Sequence, residues 1–367
     1  MSLMDDVNEY ETWLRPRCAV VEKGLRKKHQ RMADNAFEFF RATCFRFART
    51  VADLVPDARG APRVPSVGDA HIENWGTWRD AEGRLVWGVN DFDEAAVLPC
   101  TYDLLRLATS TRLAPGLPGT NKERTASILE GYRRGLRKPG PLFVDDEIPW
   151  MNTLVHQPAT RQGAFRAELD AIEPAQPPPG LAGPLRALLP PETHDIRFGA
   201  RQRGVGSLGR PRHVAMGVWR GGLVAREAKA QIPSAWDWAL GVKGDEGLLL
   251  SMATGRFRAP DPFLTSRAGF LCRRLAPDSV KIDLAGEEAL AYGPLLLAAM
   301  GADLAAIHVA GGVDAETILG DLRGRPDTWL HEAAKTVGDA VKTDFQTWRA
   351  FQAGLDARTP ERGKGLA

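Results

Sequence analysis

Gly68-Asp69-Ala70-His71-Ile72-Glu73-Asn74, followed by Val89-Asn90-Asp91-Phe92-Asp93-Glu94, is the pair of segments whose reading decides the fold. The first sets an aspartate five positions ahead of an asparagine, and the second brings Asp91 seventeen positions beyond Asn74, across a short predicted hairpin. Carboxylate and amide oxygens are the donors that hard divalent cations prefer. Gathering Asp69, Asp91, Asp93 and Glu94 in one place also leaves negative charge that needs a counter-ion. Two carboxylates about 4 Å apart repel by roughly 4 kcal/mol at an effective dielectric of about 20. The expectation is a divalent-cation site whose loading stabilises the fold.

Working outward, residues 5–56 read as helical, with Phe37, Phe40, Cys44 and Phe47 on the core face of one amphipathic helix through RMADNAFEFFRATCFRFARTVADL (31–54). A Pro/Gly-rich loop (55–65) and two short strands, around 64–67 and 84–89, surround the first motif. Thr101–Ala114 and residues 120–138 then read as helices. The prolines of 170–193 mark the best boundary in the chain. Beyond it HDIRFGARQ, RHVAMGVW, LVAREAKA and AGFLCRRL alternate as strands, with a helix predicted over DEGLLLSMATG (245–255). A long apolar helix follows, with Pro294 tolerated in its first turn, and from Asp314 two more helices and a polar tail. No solenoid-type repeat is present.

Composition narrows the function classes. Forty-eight basic against 46 acidic residues, net +2, offer no nucleic-acid or membrane surface. The densest basic patch, Arg-Lys-Lys-His within Gly24–Gln30, reads as a solvated helix face. Cys18, Cys44, Cys100 and Cys272 are scattered singly, which suits free thiols and fits neither a disulfide frame nor a zinc site. The acidic N-terminus lacks an apolar signal core, and Ala289–Ala302 is too short to span a bilayer, so a cytoplasmic location is expected.

GVGSLG places Gly204, Gly206 and Gly209, with Ser207 between them, in GxGxxG spacing. A dinucleotide fingerprint needs a helix after it, whereas here strands lie on both sides. A plain hairpin turn and a phosphate-cradling loop both remain open, the latter because glycine lets backbone N–H groups approach phosphate oxygens. Twenty residues on, Lys229 stands on a predicted interior strand in a chain that mostly uses arginine. Its compact ammonium suits phosphate oxygens, with Glu246 on the next helix as the expected partner; an edge-strand solubilising lysine is the bland alternative.

Glycine loop, strand lysine, helix glutamate, catalytic-type loop and metal-binding aspartate resemble the parts of protein-kinase-like enzymes. Gly-Asp-x-His-x-x-Asn resembles the aminoglycoside and choline phosphotransferase branch in particular. In this chain the acidic motifs precede the glycine loop, so the order is circularly permuted. The implied fold is α+β: two-lobed, with a small antiparallel β lobe (191–285) and a larger helical lobe built from 1–190 and 286–367. More closely, RMADNAFEFFRA, GDAHIENWG, NDFDEA with YDLLRLATS, GVGSLG and KAQIPS resemble the bacterial family catalogued as domain of unknown function 2252, over about 31–350. Ala230 follows Lys229 where Lys-Glu-Ala is usual in that family. Arg226-Glu227-Ala228 is therefore an alternative register, although the Pro233-Ser234 spacing favours Lys229.

The resemblance implies an ATP- and Mg²⁺-dependent phosphotransferase acting on a hydroxyl of an unidentified acceptor. Asp69 would orient that hydroxyl, Asn74 and Asp91 would hold Mg²⁺, and Gly204, Gly206, Ser207, Gly209, Lys229 and Glu246 would bind nucleotide. Asp103 would hydrogen-bond the catalytic loop. His71 is either a proton shuttle or a packed loop residue, Asp93 and Glu94 are supporting acids, and Arg41 and Arg106 would brace the site. A nucleotide-binding module without transfer, and AMP transfer by the same site, are the alternatives. A binuclear phosphoesterase would need more histidines near the cluster than His71.

Overall fold

The structure, a computed structural model, describes residues 1–155, 158–282 and 291–358; the polar tail expected at the C-terminus lies outside them. Four helices open the chain: α1 (Leu3–Leu14), α2 (Glu22–Arg31), α3 (Ala36–Ala42) and α4 (Cys44–Leu54). The single helix expected over 31–54 is thus two. Thr43, at φ −114° and ψ 44°, breaks the run, and the Asn35 side chain caps α3 by accepting the Glu38 N–H at 2.9 Å. The break lets Phe40 and Phe47 meet edge to face, with ring centroids 5.9 Å apart.

Next come β1 (Arg63–Ser66), β2 (Trp75–Arg79), β3 (Leu85–Val89) and β4 (Ala96–Pro99). β1 pairs antiparallel with β4, and β2 with β3. In these registers Ser66 faces Ala96 and Trp75 faces Val89, so loops 67–74 and 90–95 emerge side by side. The helices α5 (Cys100–Leu113) and α6 (Asn121–Arg137), strand β5 (Leu142–Phe143) on the β3 edge, and the short α7 (Asn152–Val155) complete this region.

The proline-rich stretch is no bare boundary. α8 (Pro158–Asp170), β6 (Glu173–Pro174) and α9 (Ala182–Ala187) lead into β7 (His194–Ala200), β8 (Arg212–Trp219) and β9 (Gly222–Ala230). β6 pairs with β7, and Leu181, Leu185 and Leu189 pack under Ala215, Ala228 and Cys272 on the outer sheet face. The sheet's own cover therefore begins before residue 190. The sheet is antiparallel, in the order β10-β11-β9-β8-β7-β6, with β10 (Thr265–Arg267) and β11 (Phe270–Leu275) following two short helices, α10 (Ala235–Leu240) and α11 (Leu248–Ala253). α10, missed by periodicity, starts at a capping box of Ser234 and Asp237. The helix expected from Asp245 starts only at Leu248, because the Asp245 carboxylate accepts the Gly247 N–H at 2.8 Å and holds a turn there.

α12 (Gly293–Ala310), α13 (Ala315–Arg323) and α14 (Trp329–Arg358) close the chain. α12 carries Pro294 in its first turn and is long and apolar enough to cross a membrane, yet 72% of it is buried inside the fold. It crosses α6 so closely that a Cβ on Gly131 would sit 1.8 Å from the Ala298 carbonyl oxygen. The chain is a mixed α+β fold whose strands pair antiparallel.

Candidate functional site

The first acidic loop is fixed by its glycine and by a buried carboxylate. Gly68 has φ +76°, and a Cβ there would lie 1.9 Å from the Glu94 carbonyl oxygen, so the two loops touch only because this residue has no side chain. Asp103 accepts the N–H groups of Val67 at 2.6 Å and Gly68 at 2.9 Å, and its Oδ2 lies 3.1 Å from His308 Nε2. It fastens the loop to the helical core and does not face the cleft. Asn74 Nδ2 donates to the carbonyls of Asp69 at 3.1 Å and Asp91 at 3.0 Å, which joins the loops and leaves Oδ1 as its uncommitted acceptor.

Asp69 Oδ1 accepts from Arg106 Nε at 2.5 Å. Burial raises the Asp69 carboxyl to about 6; the Arg106 guanidinium opposes this and the Glu94 charge adds to it. His71 Nε2 stands 3.9 Å from Asp69 Oδ2, while its Nδ1 accepts the Glu73 N–H at 3.2 Å. Burial, with the charges of Arg41 and Lys281, holds this imidazole well below its usual range. A ring kept neutral and bonded to its own loop shapes that loop.

From the sheet, Lys229 Nζ donates to Asp91 Oδ2 at 2.7 Å and also contacts Asp93 Oδ2. Burial works against ionised Asp91, but the Lys229 charge and hydrogen bond outweigh it and hold the carboxyl well below the usual range. Asp93 is raised by burial and by the Asp91 charge beside it. Strand alternation separates the two registers left open by sequence: Lys229 and Glu227 share the cleft face, whereas Arg226 points to the other, donating to the Leu188 carbonyl at 3.0 Å.

Two expectations are corrected. Glu246 does not meet Lys229: its side chain is 88% exposed in the turn before α11, and its ion pair is with Lys243 at 3.8 Å. The acidic cluster is also not short of positive charge. Arg106 meets Asp69, Lys229 meets Asp91 and Asp93, and Arg210 donates to Asp93 at 3.0 Å and Glu94 at 2.7 Å. Repulsion among these acids does not by itself demand a metal. Among the described residues no three His, Cys, Asp or Glu side chains converge as a metal-ligand group, which leaves a binuclear phosphoesterase site without its ligands.

GVGSLG is the β7–β8 connection, with Gly204 at φ +77° and Gly209 at φ +94°. The N–H groups of Ser207, Leu208 and Arg210 turn back onto carbonyls of the loop itself. Those of Gly204, Val205 and Gly206 meet no acceptor among the described residues. A Cβ on Gly206 would stand 3.9 Å from Asp69 Oδ2, so the loop backbone lies over the candidate base. The Ser207 hydroxyl accepts from Arg212 at 2.7 Å.

A cavity of about 410 Å³ opens beside Asp91, between the cleft face of the sheet and α8 and α11. Arg201, Arg203, Arg212 and Arg273 line it together with Trp78, Phe165, Leu249 and Leu264. Buried Glu227 gathers three of these guanidiniums, Arg201 at 2.8 Å, Arg212 at 2.9 Å and Arg273 at 2.8 Å, and the Nε of Arg201 and of Arg212 finds no partner. Sequence reading missed Glu227 as an anchor, and missed Arg210 although it directly follows Gly209. It also put Lys28 on a solvated helix face, whereas Lys28 is 7% exposed. Gly24 and Leu25 on the same turns of α2 were the available signal, since both press against the glycine loop.

Residues 19–140 match the model of a family described as an uncharacterized protein conserved in bacteria, DUF2252. That span holds both acidic motifs and ends before the glycine loop, a narrower stretch than the resemblance drawn from sequence. No curated protein matches the chain, and no solved structure does.

Proposed function

We propose, from the match of residues 19–140 to that bacterial family's model and from the acidic loops inside the matched span, that the chain is an ATP- and Mg²⁺-dependent phosphotransferase of circularly permuted, two-lobed kinase-like design. The observation that carries this is the ion pair of Lys229 with Asp91 at 2.7 Å. Two segments 138 positions apart meet in one cleft, and the backbone of the glycine loop comes close to Asp69 at its edge. A cytoplasmic setting, which supplies ATP and keeps Cys18, Cys44, Cys100 and Cys272 reduced, fits the reading.

The residues present suit a nucleotide. The guanidiniums of Arg201, Arg203, Arg212 and Arg273 along the larger cavity match phosphate oxygens, and the apolar side of that cavity suits a base. Asn74 Oδ1 and the Asp91 carboxylate are the oxygen ligands for Mg²⁺, two from protein being usual for a cation that keeps several waters. When bound, the metal would neutralise charge on the phosphates. Lys229 would then turn from Asp91 and Asp93 toward phosphate oxygens, a short move for a flexible stem.

Asp69 takes the acceptor proton. The acceptor oxygen forms a bond to the terminal phosphorus, the bridging P–O bond breaks, and ADP leaves with that electron pair. Arg106 holds one oxygen of the Asp69 carboxylate, and the other lies on the glycine-loop side, 3.9 Å from where a Cβ on Gly206 would stand. General-base positioning of this kind contributes ~10²–10⁴ in rate.

The test is incubation with γ-labelled and α-labelled ATP across a metabolite and protein panel. Transfer of γ label that falls at least ~10²-fold in Asp69→Asn and disappears in Asp91→Ala is the expected result. Transfer of α label would make it an AMP transferase, and nucleotide binding without transfer a regulatory module. Transfer indifferent to Asp91→Ala would remove the site altogether.

A further inference from the structure

Beneath the glycine loop, on the Asp69 side, lies a second cavity of about 60 Å³. It is lined by Gly204–Ser207 and Asn74, by the acids Asp69, Asp91, Asp93 and Glu94, and by the cations Lys28 and Arg41 from the N-terminal helices with Lys281. A single water needs about 10–15 Å³ on this measure, so the space has room for a small oxyanion group.

Lys28 is the unusual member. The residue is only 7% exposed, yet among the described residues no carboxylate lies within ion-pair distance of its ammonium, which donates to the Gly206 carbonyl at a long 3.3 Å. The faces of Tyr10 and Phe45 flank it, with centroids 6.0 and 5.8 Å away. A buried cation with three donors and one weak acceptor is costly unless something else pairs it. Burial duly pulls Lys28 down to about 8, helped by the charge of Arg210 and opposed by Glu11 and Glu94. Arg41 carries a second orphan: its Nε is buried with no partner among the described residues, while its Nη1 is held by Glu38 and Glu73, each at 2.8 Å. Gly204, Val205 and Gly206, whose N–H groups have no acceptor among the described residues, line the same cavity.

We infer that this cavity is an oxyanion subsite in which Lys28, delivered by the N-terminal helix α2, pairs a phosphate- or carboxylate-sized group held under the glycine loop beside Asp69. The inference deepens the phosphotransferase reading and rests on it for the identity of the anion. That anion is either the terminal phosphate of the nucleotide or the acid group of an anionic acceptor. α2 is placed for the role, because the Val21 N–H donates to the Gly209 carbonyl at 2.8 Å and Gly24 lies against the backbone of Gly209. The helix that carries the ammonium is thereby docked on the loop that carries the amides.

Calorimetric titration of the full chain with inorganic phosphate, ADP and the non-hydrolysable analogue AMPPNP tests this, using wild type, Lys28→Met and Lys28→Arg, with melting curves to verify folding. Phosphate should bind wild type and Lys28→Arg and bind Lys28→Met at least ~10-fold more weakly, the loss of one charge-assisted bond. If the anion is the nucleotide's terminal phosphate, Lys28→Met should weaken AMPPNP but not ADP, and AMPPNP should exclude phosphate. If it belongs to an acceptor, both nucleotides should bind Lys28→Met normally and phosphate should still bind beside AMPPNP. Phosphate bound equally by wild type and Lys28→Met, or by neither, would overturn the subsite. Phosphate binding that depends on Lys28 in a protein that binds no nucleotide would keep the subsite and discard the phosphotransferase.

Discussion

At the scale of single residues, the chemistry depends on how burial and charge divide four neighbouring carboxylates. Asp91 is kept ionised by Lys229, whereas Asp69 is raised to about 6 by burial. A base is active when deprotonated, so kcat/KM, which reports the free enzyme, should fall as pH drops through about 6. Glu94 contributes to raising Asp69, and Glu94→Gln should move that limb to lower pH while its remaining oxygen still accepts the Ala235 N–H. A profile flat between pH 5 and 8 would remove Asp69 from proton transfer. The residue types of GDAHIEN and NDFDE were legible in sequence, and so was Lys229. The partner of Lys229 was not, because an ion pair is chosen by proximity in space. Glu246 lay seventeen positions along the chain, but the carboxylates that reach the ammonium arrive from a loop 138 positions away.

At the scale of elements, strand alternation and helix periodicity placed the long helices and the strands β1, β3, β7, β8, β9 and β11, but not β2, β4, α8 or α10, and several of the errors have local causes. Thr43 broke a helix that hydrophobic spacing made continuous, and Asp245 delayed another by bonding Gly247. The proline-rich stretch looked like a linker because its buried leucines become meaningful only against the sheet face they cover. The close crossing of α6 and α12 was invisible as well, since a glycine inside a helix lowers propensity without announcing a neighbour. Gly131→Ala would drive a Cβ into the Ala298 backbone, which is not a side chain that can swing away. Chemical denaturation should show a loss of about 1–3 kcal/mol from overpacking. Gly354→Ala, on the exposed part of α14 with nothing within 4 Å, should instead gain up to about 1 kcal/mol. Equal responses of the two variants would mean that the helices do not cross as described.

At the scale of the whole molecule, the site is a meeting of the sheet, the paired acidic loops and the N-terminal helices. Its internal charge balance predicts how ligands stabilise it. With Arg106, Lys229 and Arg210 already pairing the acids, Mg²⁺ alone should shift the melting temperature little. Mg²⁺ with AMPPNP should raise it, by an amount equivalent to about 2.7 kcal/mol at a hundredfold excess over Kd. Lys229→Met should abolish most of that shift, and a shift preserved in this variant would place nucleotide elsewhere. The sequence by itself determined the α+β class, the two acidic motifs, the glycine loop and the lysine, because each is written in local spacing and residue type. Only the tertiary structure decided which groups pair, that Lys28 is buried and that the acids are neutralised from within. Those outcomes follow from burial and through-space charge among segments far apart in the chain, and no local pattern encodes such distances.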